Sequence, residues 1–326
     1  MRLMYKARLS ATLLAILVTV PFMAASCTRT EANKWKIVAS FTAIKTPTMT
    51  AIREELERAA QRDSRIELRI DDFNGLVDAQ VRALSDRDGL GDLVIVVPDR
   101  SAQLDRVIHD LHALGLPVLT LRQDIGHDSF NAAFLPDDIA IGRAAADWVV
   151  KTLADGGNVV ALKGSMTSRQ SQERQRGFLQ GLTRRVKSKN ASTANDPVSL
   201  VYESECDGTR AGAQRAMRDA LIANSKIDAV FAHSDEIAYG AYEAAVASDR
   251  DRDIVILGVG GLQEAGMKFV ADGILAATIE TALGADEAIN YALRILSGEV
   301  ILAQRVRLAS KLYTLTTLST GGSPVR

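Results

Sequence analysis

Leu93–Val97 (LVIVV) is a run of five apolar residues without a polar member. Such a run is typical of a strand in a parallel sheet that helices cover on both faces. The residues that follow, Ala102–Leu114, have apolar positions at helical spacing and lead into a second apolar run at Val118–Leu121. Ile66–Ile70 precedes them as another candidate strand. The centre of this region is therefore predicted to be built of β-α-β units.

The first predicted strand, Lys36–Phe41 (KIVASF), is followed by a helix with a clear start. Thr46 suits the N-cap position, and Pro47 suits the first helical position, where its missing N–H costs nothing. Apolar residues then recur at helical spacing. They are Met49, Ile52, Leu56 and Ala59.

The same alternation continues along the chain. Further strands are predicted at Val159–Leu162, Leu200–Tyr202, Val230–Ala232, Ile254–Val259 and Leu275–Ile279. Further helices are predicted at Ile139–Leu153, Ser171–Val186, Thr209–Ile222, Glu236–Ala247 and Ala282–Leu296. About ten strands are many for one open sheet, so we expect an α/β fold with two lobes, each a parallel sheet flanked by helices. The break between the lobes is placed at Phe134–Asp138.

The first 27 residues have the layout of a secretion signal. Met1–Arg8 is basic, Leu9–Met23 is apolar but shorter than the roughly 20 residues of a membrane-spanning helix, and Ala24–Cys27 offers small residues before a cysteine. This pattern resembles a bacterial lipoprotein signal, which predicts acylation of Cys27 and a polar tether at 28–34. The alternative is an ordinary cleaved signal with a chance cysteine.

Composition narrows the class of protein. The chain is 47% hydrophobic and 24% charged, with a formal net charge of −1, which is typical of a globular protein and unlike a nucleic-acid binder. Its two cysteines, Cys27 and Cys206, do not make a disulfide framework. No HExxH, GxSxG or P-loop motif is present, and the four histidines are scattered. We expect no catalytic residues, no cofactor and no metal.

Several segments together resemble a known family. Gly115–Leu121 (GLPVLTL), Glu173–Phe178 (ERQRGF), Ala229–Ala241 (AVFAHSDEIAYGA) and Asp272–Ile279 (DGILAATI) are similar, in order and spacing, to motifs of type I periplasmic binding proteins of the ribose/galactose group. The resemblance spans Lys36–Leu318. It implies two Rossmann-like lobes joined by three hinge crossovers. One lobe comprises 35–136 and 282–309, and the other comprises 137–281 and 310–326. It also implies a ligand clamped between the lobes.

The resemblance implies a set of ligand-binding residues. Arg174 is the first candidate because a guanidinium suits ligand oxygens. Asp235 is the second, although it also lies where a helix N-cap belongs. The remaining candidates are Arg122, Gln123, Thr46, Thr48, Phe41, Ser234, Thr281, Glu280, Asp137 and Cys206. Several differ from the sugar-binding pattern, and the loss of aromatic residues removes stacking partners for a sugar ring. Arg122 and Arg174 together favour an acidic or strongly polar ligand.

The expected function is that of a non-enzymatic, extracytoplasmic, monomeric carrier that binds a small carbohydrate or sugar acid and delivers it to an ABC permease. A sensor kinase, a chemoreceptor or another receptor ectodomain is the alternative partner. A quorum-signal receptor and a degenerate member that binds nothing tightly also stay open. A regulator of the lactose-repressor type would need a DNA-binding segment where the signal lies, and an enzyme would need a nucleophile and base that the sequence does not supply.

Overall fold

The computed structural model of the chain describes residues 34–98, 101–188 and 198–325, with only the backbone of 184–188. The predictions for the signal and for Cys27 lie outside these residues, as do residues 28–33 of the tether. The described chain forms two sheets, and each has helices on both faces. The predicted two-lobed α/β fold is confirmed.

The first sheet has six strands, all parallel to their neighbours, in the order β11-β5-β4-β3-β1-β2. The bounds are β1 Trp35–Phe41, β2 Ile66–Asp72, β3 Leu93–Val97, β4 Val118–Leu121, β5 Ala132–Pro136 and β11 Gln304–Leu308. Residues 93, 95 and 97 of β3 enter one apolar core, and residues 94 and 96 enter another on the opposite face. This explains why the strand contains no polar residue.

The second sheet has seven strands in the order β13-β12-β10-β9-β8-β6-β7. The bounds are β6 Gly157–Lys163, β7 Val198–Glu205, β8 Ala229–Ala232, β9 Val255–Gly260, β10 Ala277–Glu280, β12 Lys311–Thr314 and β13 Ser323–Pro324. β12 and β13 are antiparallel to their neighbours, whereas the other pairs are parallel. The sequence predicted parallel pairing throughout. Residues 315–322 are too few for the crossover that a parallel β12–β13 pair needs.

The helices lie between the strands along the chain. They are α1 Pro47–Gln61, α2 Val77–Ser85, α3 Ala102–Ala113, α4 Asp138–Thr152, α5 Arg169–Ser188, α6 Arg210–Ala223, α7 Asp235–Val246, α8 Lys268–Ala271 and α9 Ala285–Leu296. The start of α1 is as predicted, because the Thr46 hydroxyl accepts a hydrogen bond from the Met49 N–H and Pro47 is the first helical residue. Among the described helices, none has the length and apolar character to cross a bilayer.

The chain passes between the two sheets at three links. The first joins β5 to α4 at residues 136–138, the second joins β10 to α9, and the third joins β11 to β12. Gly284 in the second link has a φ of +82° and packs so closely that an added Cβ would lie 2.8 Å from a methyl group of Leu308. Glu55 accepts hydrogen bonds from the N–H groups of Ala285 and Asp286 at 3.1 and 3.0 Å, which satisfies the start of α9.

Candidate ligand-binding cleft

A cavity of about 1280 Å³ is lined by residues of both lobes. Thr46 and Pro47 contribute from the loop after β1, while Gly260, Glu280 and Thr281 contribute from the carboxyl ends of β9 and β10. The carboxyl ends of the strands are the usual place for ligands in open α/β sheets. The volume exceeds that of most small-molecule pockets, which is consistent with a groove that still communicates with solvent.

Glu280, one of the carboxylates that line this cavity, is half-buried beside the second link. Burial raises the pKa of its carboxyl, while the charge of Lys311 and a hydrogen bond from the Tyr313 hydroxyl oppose that shift. Thr281 lies next to it, with its hydroxyl 3.5 Å from the Gly260 carbonyl. This wall therefore offers hydroxyl and carboxylate groups, which suit the hydroxyls of a polar ligand.

Arg174 is buried, with 8% of its surface exposed. Its Nε lies 3.1 Å from Oδ1 of Asp138, its Nη2 also bonds to that carboxylate, and its Nη1 donates to the His233 carbonyl. The guanidinium thus joins α5 to the start of α4 and the end of β8. Asp138 already balances its charge, so a ligand would meet only the part of the fork that these bonds leave free.

Asp235 is also buried, and its carboxylate is used within the second lobe. It accepts hydrogen bonds from the Gly261 N–H at 2.8 Å and from the Thr278 hydroxyl at 2.7 Å. Burial raises its pKa to about 6, and the same two hydrogen bonds oppose the shift. The helix N-cap is Ser234, whose hydroxyl accepts from the Ile237 N–H at 3.1 Å. The expected capping role of Asp235 is therefore wrong, because Ser234 already holds that position.

Three glycines make room for the Asp235 carboxylate. An added Cβ at Gly258, Gly260 or Gly266 would lie 2.1–2.4 Å from one of its oxygens. Gly260 lies where the similar type I periplasmic binding proteins have an aspartate. A side chain at this position would occupy the space of the Asp235 carboxylate. The loop at 260–261 is consequently shaped by Asp235, and this loop lines the large cavity.

Arg122 follows β4 and has a φ of +70°, a conformation that few non-glycine residues adopt. Its Nη1 lies 3.4 Å from the Ala282 carbonyl in the second link, and its own carbonyl accepts from Nε2 of Gln170 at 3.2 Å. Burial lowers the pKa of the guanidinium to about 10; Asp138 opposes that shift and Arg174 adds to it. Arg122 and Gln123 line a small second cavity between the lobes.

Other predicted site residues lie elsewhere. Phe41 is fully enclosed in the core of the first lobe, and Cys206 is buried in a core of the second, where burial raises the pKa of its thiol to about 11. Both side chains therefore face apolar neighbours rather than a cavity. Asp137 caps α4 through the Ala140 N–H at 2.9 Å. Thr48 lies on the first turn of α1 and is partly exposed.

The lobes are joined by a polar connection that the sequence did not predict. Asp124, in the loop after β4, accepts from Arg305 at 2.7 Å and from Arg169 of α5 at 2.8 Å. Asp138 and Arg307 were missed as well. The adjacent pair Asp137–Asp138 at a strand end was the one signal that could have drawn attention to Asp138. Within the described residues, no group of three His, Cys, Asp or Glu side chains could hold a metal ion.

Comparison with known proteins gives the family. The model of the periplasmic binding protein domain matches residues 37–299, most of the chain. The chain belongs to this family. Its members are solute-binding proteins and are not enzymes.

Similar proteins include the ribose import binding protein RbsB of Bacillus subtilis, which is 24% identical over 76% of each chain. RbsB of Escherichia coli is 26% identical, and the match covers 65% of this chain and 68% of that protein. Among solved structures, the Caulobacter myo-inositol binding protein bound to myo-inositol has a TM-score of 0.70 at 26% identity, covering 88% of this chain and 95% of that chain. These proteins are what this periplasmic binding protein resembles in sequence and fold.

Proposed function

We propose that this periplasmic binding protein captures a small carbohydrate between its two lobes and delivers it to an ABC importer. The observation that carries the proposal is the cavity of about 1280 Å³ at the strand ends, lined from both lobes and by the second link. The curated relatives are ribose import and allose-binding proteins, which supports a sugar as the ligand.

Binding works through closure of the lobes. We assign residues 35–136 and 282–309 to one lobe and 137–281 and 310–326 to the other, so that the three links form the hinge. A ligand that contacts both lobes only when they are closed shifts the population toward the closed form. The closed surface is then what the importer recognises.

The same proposal includes export. Residues 1–27 serve as the signal and Cys27 receives the lipid that holds the protein at the membrane. The relatives' role in import supports an extracytoplasmic location. Mass spectrometry of the protein extracted from membranes tests this, since acylation adds a defined mass to a chain that begins at Cys27.

The ligand is tested by thermal unfolding in the presence of D-ribose, D-allose, L-arabinose and myo-inositol. A sugar at 100 times its dissociation constant adds about 2.7 kcal/mol of stability, which raises Tm by roughly 5 °C in a chain of this size. Glu280→Gln in the cleft wall should weaken the binding. The matched control is Glu67→Gln, at an exposed position of β2.

Failure of every sugar to change Tm would contradict carbohydrate capture. A sugar that binds equally well to Glu280→Gln and to Glu67→Gln would move the site away from this cleft wall. Uptake of the labelled sugar by cells with and without the protein tests delivery to an importer; equal uptake with confirmed binding would favour a sensing role.

A further inference from the structure

A second, smaller cavity of about 30 Å³ lies against the links between the lobes. Its walls include Arg122 and Gln123 after β4, Pro136 of the first link, Gln170 of α5 and Arg307 of β11. A cavity of roughly 10–15 Å³ holds one water molecule, so this one has room for a polar group of a few atoms. The cavity therefore suits a small polar group rather than a whole sugar ring.

The charges around this cavity are unequal. Three carboxylates line it, and all three already form ion pairs with arginines. The pairs are Arg174–Asp138, Arg169–Asp124, Arg305–Asp124 and Arg169–Glu173, with N–O distances of 3.1, 2.8, 2.7 and 2.8 Å. Arg305 also pairs with Asp128, so the wall residues and their ion-pair partners together have five arginines against four carboxylates.

Two arginines of the wall lie outside these ion pairs. Among the described residues, the Arg122 guanidinium donates only to the Ala282 carbonyl, at 3.4 Å, and the Arg307 guanidinium only to the Pro136 carbonyl, at 3.2 Å. Within the described residues, neither forms an ion pair with a carboxylate. Arg307 is exposed, whereas Arg122 is partly buried between the lobes. A partly buried cation that forms no ion pair gains free energy when an anion binds to it.

We propose that Arg122, assisted by Arg307, binds the carboxylate of the ligand, so that the protein captures a sugar acid. This rests on the proposed function, because it names the class of sugar that the cleft takes. The Ala282 carbonyl that Arg122 contacts belongs to a residue that also lines the large cavity. In this proposal the sugar ring lies in the large cavity and its acidic group lies against Arg122.

A carboxylate fits these donors better than a hydroxyl or a phosphate. The planar fork of a guanidinium binds a carboxylate through two parallel hydrogen bonds, and the small cavity favours a planar group over a bulkier tetrahedral one. Arg174, the first candidate from the sequence, cannot supply this charge because Asp138 already neutralises it.

The test uses three matched probes on the wild-type chain at constant ionic strength. D-galacturonate carries the carboxylate, its methyl ester is the same sugar without the charge, and D-galactose is the neutral hexose. Isothermal titration calorimetry should show galacturonate binding at least tenfold more tightly than either neutral probe. A charge-assisted hydrogen bond accounts for a ratio of about 10- to 100-fold.

Variants then assign the charge to its residue. Arg122→Gln should lower the preference for galacturonate over galactose by about 10- to 100-fold. Arg122→Lys keeps a charge but not the fork, so it should retain part of the preference. The control is Arg176→Gln, at an exposed position on α5. Unfolding of the free variants by heat shows whether each is folded before binding is measured.

Two results would overturn the inference: neutral probes that bind as tightly as galacturonate, or unchanged galacturonate affinity in folded Arg122→Gln. In the first case the neutral sugars still bind, so the proposed capture of a carbohydrate stands. If none of these probes and none of the neutral sugars named above binds, carbohydrate capture itself fails, and the two failures are thereby distinguished.

Discussion

Replacing Asp138 by alanine tests how much its buried ion pair with Arg174 stabilises the second lobe. The pair is enclosed, with side-chain exposures of 9% and 2%. Removing the carboxylate leaves the guanidinium with the His233 carbonyl as its remaining partner. An uncompensated buried charge of this kind costs about 3–5 kcal/mol. With roughly 2 °C of Tm per kcal/mol for a chain of this size, we expect Tm to fall by about 6–10 °C.

The assay is unfolding by heat and by urea, followed by circular dichroism. Asp272→Ala is the control, since it breaks the exposed Lys268–Asp272 pair and should cost less than about 1 kcal/mol. The double variant Arg174→Met with Asp138→Leu removes both charges and should recover most of the loss, because apolar replacement of a buried pair is often neutral. A loss below 1 kcal/mol in Asp138→Ala, or a double variant no more stable than the single one, would refute the reasoning.

Two further predictions concern the same lobe. His233 is buried, and desolvation, together with the charges of Arg174 and Lys163, holds its pKa well below 6.5. As the pH falls, the imidazole is therefore protonated in the unfolded chain before it is protonated in the folded one. The free energy of unfolding should fall below about pH 6.5, by up to about 1.4 kcal/mol per pH unit. The urea midpoint between pH 7.5 and 5.5 should fall more steeply in the wild type than in His233→Leu, and equal slopes would contradict the assignment. Gly260 has a φ of +152° and its added Cβ would lie 2.4 Å from Asp235, so Gly260→Ala should cost about 2–4 kcal/mol. The control is Gly115→Ala, at a φ of +83° with nothing within 4 Å of the added Cβ, and it should cost about 1 kcal/mol. Equal losses of stability in the two variants would mean that the contact with Asp235 does not destabilise Gly260→Ala.

The sequence was sufficient for the central strands because they are apolar on both faces. β3 and β4 were predicted with their observed bounds. It was insufficient at the edges. β11 (QRVRL) has exposed, charged residues and pairs only with β5, so its strand character depends on a neighbour that the local sequence does not reveal. α2 has nine residues and no side-chain cap, which leaves little local signal.

The site was harder to predict because two adjacent polar residues at a strand end have different roles. Asp137 caps α4 and Asp138 pairs with Arg174; Ser234 caps α7 and Asp235 holds the loop at 260–261. A shift of one residue separates a cap from a buried partner, and only the backbone geometry of the turn decides between them. Residue type and spacing could therefore locate these turns but could not predict which of two neighbouring residues caps the helix.

The contacts between the lobes also bear on what closes them. Among the described residues, the polar contacts across the hinge side are the Arg169–Asp124 pair at 2.8 Å and the hydrogen bond from Gln170 to the Arg122 carbonyl at 3.2 Å. Arg169 is half exposed, so its pair contributes about 0–1 kcal/mol, and a neutral hydrogen bond adds about 0.5–1.5 kcal/mol. A ligand with a micromolar dissociation constant contributes about 8 kcal/mol of binding free energy. These contacts are therefore too weak to fix the closed form alone, and the ligand must supply most of the preference for closure.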